Sequence, residues 1–329
     1  MSKKKNLMAL AGAALALCAG AIQAQTVLRL GHVWPASELH AKAVEQFAKD
    51  VENATQGEMR IEVHGGGTLG SDRELLEGIK FGTNDIWVGG AGVLSTASTT
   101  ARIFTLPFMI RDVSHYEAVY EGPVGEEINA RIQKESGYSV AAYWLRGPRW
   151  LTTKKPVREP KDLAGLKIRV PDSPVTVQSW KALGAAPTPM NFGEVFNALQ
   201  QGVIDGQENP LSLIVSSRFA EVVDSLVRTE HAYEPVAVVF DAQRLASLPE
   251  AHRRALLDAA NGQAKRYSFE EVKRGEVDLV RTLQEQGMTL IEPDKAPFQA
   301  LVGKEFVHAN FAAIADLYDK VVQTRAPAP

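Results

Sequence analysis

Short apolar runs of strand length alternate with amphipathic stretches of helix length, and this alternation runs once along the chain and then restarts. Residues 26–32 (TVLRLGH) read as a strand, and residues 37–52 put Leu39, Ala43, Val44, Phe47, Ala48 and Val51 on one helical face. A strand at 59–63, a Gly-rich turn, a helix at 72–81 and a strand at 85–89 complete the first round. The second round has strands at 139–145 and 166–170 and helices at 175–183 and 193–201, the last stopped by Gly202. Asn191, with Glu194 three residues on, has the spacing of a capping box for that last helix. Strands and helices alternating at this pitch predict an α/β fold built on mostly parallel sheet. About 300 residues remain once a leader is set aside, more than one core usually serves, so two domains are expected. The polar stretch 152–161 (TTKKPVREPK) reads as a linker or exposed loop, and the helical tract at 249–287 is long enough to run along both domains as a spine.

The first 24 residues read as an export signal: Lys3, Lys4 and Lys5, an apolar stretch at 7–22, and a small-residue exit at Ala24. Cys18, the only cysteine, lies inside it, so no disulfide framework is expected. A lipid anchor on Cys18 is the rival reading, opposed by the bulky Leu17 before it. Cleavage would remove three of 36 basic residues and none of 39 acidic ones, moving the formal charge from −3 to −6. Such a mildly acidic exported chain is a poor candidate for nucleic acid or an anionic membrane surface.

Three segments carry the chemistry: GPRWLTT with Arg149, GLKIRVP with Arg169, and IDGQENP with Asn209. Two guanidiniums and an amide, each beside Gly or Pro at the end of a short apolar run, suit the capture of a small carboxylate. Arg presents a planar fork of donors that holds both carboxylate oxygens. Arg169 in a structural ion pair and Asn209 as a turn residue before Pro210 are the bland alternatives. At the start of the 72–81 helix, free amides and the helix dipole attract polar ligands, which makes Asp72 and Glu74 candidates. GGGTLG at 65–70 satisfies G-x-G-x-x-G, yet Asp85 begins its strand instead of ending it, so a turn needing positive φ is the better reading. HGGG at 64–67 has no matching G-x-S-x-G elbow. The seven histidines show no metal-ligand spacing and are expected at surfaces or caps, with His32 at a strand end the one exception considered. No cofactor or metal is expected.

Around Arg149, Arg169 and Asn209, and from LRLGHVWP through TLGSDRELLEGIKFGTNDI, FTLPFMIRD, DLAGLKIRVP and NFGEVFNALQQGVIDGQENP, the chain resembles the solute-binding subunits of tripartite ATP-independent periplasmic (TRAP) transporters. The resemblance implies a two-domain periplasmic-binding-protein fold, type II-like, with a ligand cleft between domains and a long C-terminal spanning helix. It places domain I at 25–146 plus about 235–274 and domain II at 147–234 plus about 275–329. It implies that Arg169 makes the bidentate carboxylate contact, that Arg149 and Asn209 assist, and that Phe192 packs over the ligand, against an ordinary core role for that ring. Members specific for sialic acid carry a glutamate and an arginine where this chain has Gly90 and Val93, which disfavours that ligand. Trp34, Trp87, Asp72, Glu74 and Asp172 then offer aromatic faces and hydroxyl acceptors suited to a uronate or aldonate. The implied role is a periplasmic, monomeric carrier that delivers an organic monocarboxylate to small and large membrane permease subunits. The rivals are a ligand sensor for a membrane receptor and an exported sugar-acid enzyme, for which the chain offers no recognisable catalytic set.

Overall fold

Eleven strands, among the described residues, form two separate sheets. The structure is a computed structural model that describes residues 25–326, so the expected leader and its exit at Ala24 lie outside the described residues. The first sheet contains β1 (Thr26–Gly31), β2 (Met59–His64), β3 (Ile86–Gly90), β4 (Tyr138–Trp144) and β10 (Val236–Asp241), in the order β2-β1-β3-β10-β4. The second contains β5 (Arg149–Thr153), β6 (Lys167–Val170), β7 (Ala186–Pro189), β8 (Gly206–Pro210), β9 (Ser225–Val227) and β11 (Thr289–Ile291), in the order β11-β9-β5-β8-β6-β7.

Neither sheet is as parallel as the alternation predicts. β10 runs antiparallel to β3 and β4, and β5 runs antiparallel to β8 and β9. The reason is topological. Both strands enter just after the chain crosses from the other sheet, at 228–235 and 145–148, and they enter at the carboxyl ends of the parallel strands: Val236 pairs with Gly90, and Arg149 with Pro210. A strand entering there can only run backwards. The two sheets therefore face each other across the carboxyl edges of their parallel strands, the edge at which open α/β sheets present ligand sites.

The helices begin and end for local reasons. In α1 (Leu39–Ala54), Ala43, Val44, Phe47 and Val51 are buried against the first sheet. In α2 (Asp72–Phe81), Ser71 and Glu74 form a reciprocal capping box, Leu75, Leu76 and Ile79 turn inward, and Gly82 closes the helix at φ 74. Asn191 does not cap in that way: its amide instead donates to the Glu194 carboxylate (3.0 Å), and a 3₁₀ turn at Phe192–Glu194 precedes the short Val195–Gln200 helix. Two further helices matter below, α3 (Pro174–Ala182) and α4 (Leu211–Ser216), both following strands of the second sheet.

The expected spine at 249–287 is two helices. Glu250–Ala260 ends at Asn261, whose side-chain amide donates to Ala141 O (2.9 Å), and Gly262 leaves helical geometry before α5 (Gln263–Glu285). The 23 residues of α5 span roughly 34 Å, enough to pack on α1 in the first lobe and α4 in the second before feeding β11. The 152–161 stretch is not a linker at its start, because Thr152 and Thr153 are fully buried in β5, where Thr152 Oγ1 accepts from Gln207 Nε2 (2.7 Å). The C-terminal end returns to the first lobe: Asp316 pairs with Arg131 (2.6 Å) and Lys320 with Glu127 (2.7 Å), while His115 Nε2 donates to Val321 O (2.9 Å). By packing, then, residues 307–321 sit with the core of the first lobe and not, as expected, with the second.

Candidate functional site

Where the carboxyl edges meet, a cavity with about 370 Å³ of empty volume is lined by Val33, Trp34, Asp72, Gly90, Val93, Arg146, Arg149, Arg169, Pro171, Phe192, Asn209, Leu213 and Glu234. The strand ends place these residues. Arg169 is the penultimate residue of β6, Asn209 of β8, and Arg149 opens β5, while Trp34 follows β1 and Asp72 opens α2. Six of the eight expected site residues, Trp34, Asp72, Arg149, Arg169, Phe192 and Asn209, therefore come together around one space.

Two do not. Glu74 is exposed, and its Oε2 accepts from Ser71 N and Oγ (both 2.8 Å), so it caps α2 and does not line this cavity. Asp172 is 63% exposed and pairs with Arg73 Nη1 (3.3 Å), which makes it one end of a surface ion pair between lobes. Trp87 also acts indirectly, since its Nε1 donates to Asp72 Oδ1 (2.9 Å) from behind.

The two central arginines differ in kind. Arg149 is saturated: its guanidinium donates to both oxygens of Glu208, to Glu208 O (2.7 Å), to Asn209 Oδ1 (3.2 Å) and to Glu234 Oε2 (2.8 Å). Burial alone would lower its pKa, but the Glu208 and Glu234 carboxylates outweigh burial and raise it. Burial would likewise raise Glu208; Arg149 and His231 instead hold it down at about 2. Arg169 has no such partner. Its Nε and Nη2 donate to Met190 O (2.9 and 2.6 Å), the Phe192 ring lies 5.9 Å from its guanidinium carbon, and no carboxylate lies within 4.0 Å among the described residues. Burial pushes its pKa down to about 10, which leaves it protonated at neutral pH. The end-on pair of N–H groups, on Nη1 and Nη2, remains for an incoming carboxylate.

Residue-type reasoning missed Arg146, Glu208 and Glu234. Glu234 Oε2 accepts from both Arg146 Nη1 (2.9 Å) and Arg149 Nη1, and its Oε1 accepts from Gly92 N (2.9 Å). Gly90 makes room for this pair, since a Cβ there would stand 2.8 Å from Arg146 Nη1 and from Glu234 Oε1. Glu208 was legible as the neighbour of Asn209 in QENP, because a buried arginine needs a counter-charge; Glu234 carries no comparable local signal. Asn209 is oriented by Gln207, whose Oε1 accepts from Asn209 Nδ2 (2.6 Å). The histidines also depart from the surface reading. His40, His115 and His231 are buried and hydrogen-bonded, and His32, buried behind Trp34 with its pKa lowered to about 4, lines no part of the cavity. The GGGTLG glycines form a turn in which Gly66, Gly67 and Gly70 all have positive φ.

Two α/β lobes, joined by crossing segments and closed over a polar cavity at their strand ends, define the architecture of a solute-binding protein. The family model for bacterial extracellular solute-binding protein, family 7 (DctP), matches residues 30–311, and the chain belongs to that family. Solved TRAP periplasmic solute-binding proteins share the fold. One from Roseobacter denitrificans with bound L-galactonate is 34% identical with a TM-score of 0.86, covering 90% of this chain and 98% of its own. One from Bordetella bronchispeptica with density attributed to pantoate is 32% identical at TM-score 0.86, covering 92% and 100%. One from Polaromonas bound to D-erythronate is 30% identical at TM-score 0.86, covering 92% and 100%.

Proposed function

We propose that this chain captures a hydroxylated monocarboxylic acid, a sugar acid of the aldonate or uronate type, and hands it in the closed form to the small and large membrane subunits of a TRAP permease. The observation that carries the reading is Arg169: buried to 4% exposure, charged, facing the cavity and without a carboxylate partner. An unpaired buried charge is costly, and a ligand carboxylate relieves the cost. Asn209, Trp34 and Asp72 complete the walls with an amide, an aromatic face and a hydroxyl acceptor. Galactonate, pantoate and erythronate in the three relatives are all hydroxylated monocarboxylates, which supports the ligand class.

On this reading the first 24 residues direct export and are removed near Ala24, and the carrier acts as a monomer without turning its ligand over. The lobes are 25–146 with about 235–274, and 147–234 with the segment that enters at about 275, moving about the crossings. The test is a thermal-shift screen of the mature protein against aldonates, uronates, small hydroxy acids, keto acids, aromatic acids and neutral sugars, confirmed by calorimetric titration. A ligand that binds only the folded state raises its melting temperature. A shift confined to hydroxy acids supports the reading, and shifts with neutral sugars alone overturn it.

A further inference from the structure

The charges around the cavity are nearly all consumed by one another. Glu234 pairs with Arg146 and Arg149, and Glu208 pairs with Arg149. Among the described cavity-lining residues this leaves one cation, Arg169, and one carboxyl, Asp72, without an ionic partner within 4.0 Å. Asp72 is held in place: Trp87 Nε1 donates to its Oδ1 (2.9 Å), and its backbone begins α2 behind the Ser71 cap. Oδ2 receives no donor from the described residues. Burial raises its pKa to about 6, with the Trp87 bond and the Arg146 and Arg169 charges limiting the rise, so it is mainly ionised at pH 7.

A cavity with one free cation and one free anion is polar in a directed sense. We propose that Asp72 sets the ligand class by charge, so that the cavity admits one carboxylate, at Arg169, takes ligand hydroxyls at Asp72, and rejects acids that bring a second carboxylate. This inference rests on the proposed function and narrows it. Specificity of this kind comes from the disfavoured partner: a second carboxylate placed against Asp72 meets a like charge in a half-buried cleft, while a hydroxyl there donates to the free oxygen.

Matched acids that differ only at the far end test it. Calorimetric titrations would compare galactonate with galactarate, and erythronate with tartrate, on the wild-type chain, Asp72→Asn and Asp72→Glu. The expected wild-type preference for the monocarboxylate is at least ~50-fold, as a like-charge contact with little screening implies. Asp72→Asn should narrow it to below about fivefold, chiefly through tighter binding of the dicarboxylate, whereas Asp72→Glu, which keeps the charge, should retain most of it. Wild-type binding of a dicarboxylate within about fivefold of its partner, or an unchanged ratio in Asp72→Asn, overturns the inference while leaving carboxylate capture intact. Wild-type protein that binds none of the four acids, and no other hydroxy acid in the screen, overturns both.

Discussion

Arg169→Ala and Arg149→Ala remove the same side chain from the same cavity, yet the structure predicts opposite phenotypes. Arg169 has no carboxylate partner, so deleting it strands only Met190 O, and the ligand-free variant should melt within about 2 °C of wild type or above it. What it loses is the ligand. Removing one partner of a buried charge pair costs roughly 2–5 kcal/mol, and the lower figure already weakens binding about 30-fold. At a concentration 100 times the wild-type dissociation constant, bound acid stabilises wild type by about 2.7 kcal/mol and the variant by only about 0.9 kcal/mol. At about 2 °C per kcal/mol for a chain of this size, the ligand-induced shift falls from roughly 5 °C to 2 °C. Arg149→Ala instead leaves Glu208 and Glu234 without their shared counter-ion, a loss of roughly 3–5 kcal/mol that should lower the ligand-free melting temperature by several degrees. Thermal melts of both variants with and without acid decide the matter. An Arg169→Ala protein that keeps the full ligand-induced shift, or that is destabilised as much as Arg149→Ala without ligand, would show that the free-cation argument is wrong.

Other consequences follow from the same geometry. Asp72 holds its proton more tightly folded (about 6) than its ordinary 3.8, so its contribution to stability is lost as pH rises from about 4 through 6; Asp72→Asn should stabilise the ligand-free protein at pH 7 by up to roughly 2–3 kcal/mol, read as a higher melting temperature, with the gain vanishing near pH 4. Parallel melting curves for variant and wild type across that range would contradict it. Asp172→Asn breaks only an exposed ion pair with Arg73 and should change affinity less than about fivefold; a far larger loss in titration would return Asp172 to the ligand shell. Ser216 Oγ donates to the buried Glu38 carboxylate (2.6 Å) across the lobes, so Ser216→Ala should weaken every acid by about the same factor, on the order of tenfold for a hydrogen bond to a charged group, and an effect on one acid alone would rule out a closure contact.

The local elements were legible because hydrophobic period and cap chemistry act over a few residues. Helix 72–81 was readable from its apolar spacing, and β6 from LKIRV followed by proline. The strand directions were not, because they depend on where the chain crosses between sheets, and nothing within VAVVF says that it returns from the other lobe. The same separation limits the site. Arg149, Arg169 and Asn209 stood out by residue type and by their neighbours, whereas Glu234 reaches Arg149 only through the second crossing, 85 positions away. Asp172 and Glu74 were misplaced for a related reason: acidic residues beside a cleft look alike in sequence whether they face the ligand, cap a helix or pair across the surface.

The separation of paired from unpaired charge also explains why closure should wait for ligand. Bringing the lobes together gains Ser212 Oγ and Ser216 Oγ as donors to Glu38 (2.8 and 2.6 Å), the Thr105–Ser173 hydroxyl contact (3.1 Å), and the Arg73–Asp172 pair. Burial alone would raise the Glu38 carboxyl, yet the donors from His40, Ser216 and Ser212 hold it below its ordinary value, and the two serines reach it from the other lobe. Against it stands Arg169, which closure strips of water without supplying a counter-charge. An empty cavity therefore closes at a penalty set by the unpaired Arg169 guanidinium and Asp72 carboxylate, and a bound hydroxy acid relieves it while leaving the other contacts unchanged. A ligand shifts an equilibrium only by its differential affinity for the two states. Here that difference is concentrated at Arg169 and Asp72, and the Glu38 and Arg73 contacts set how far the lobes are already balanced toward closing before any acid arrives.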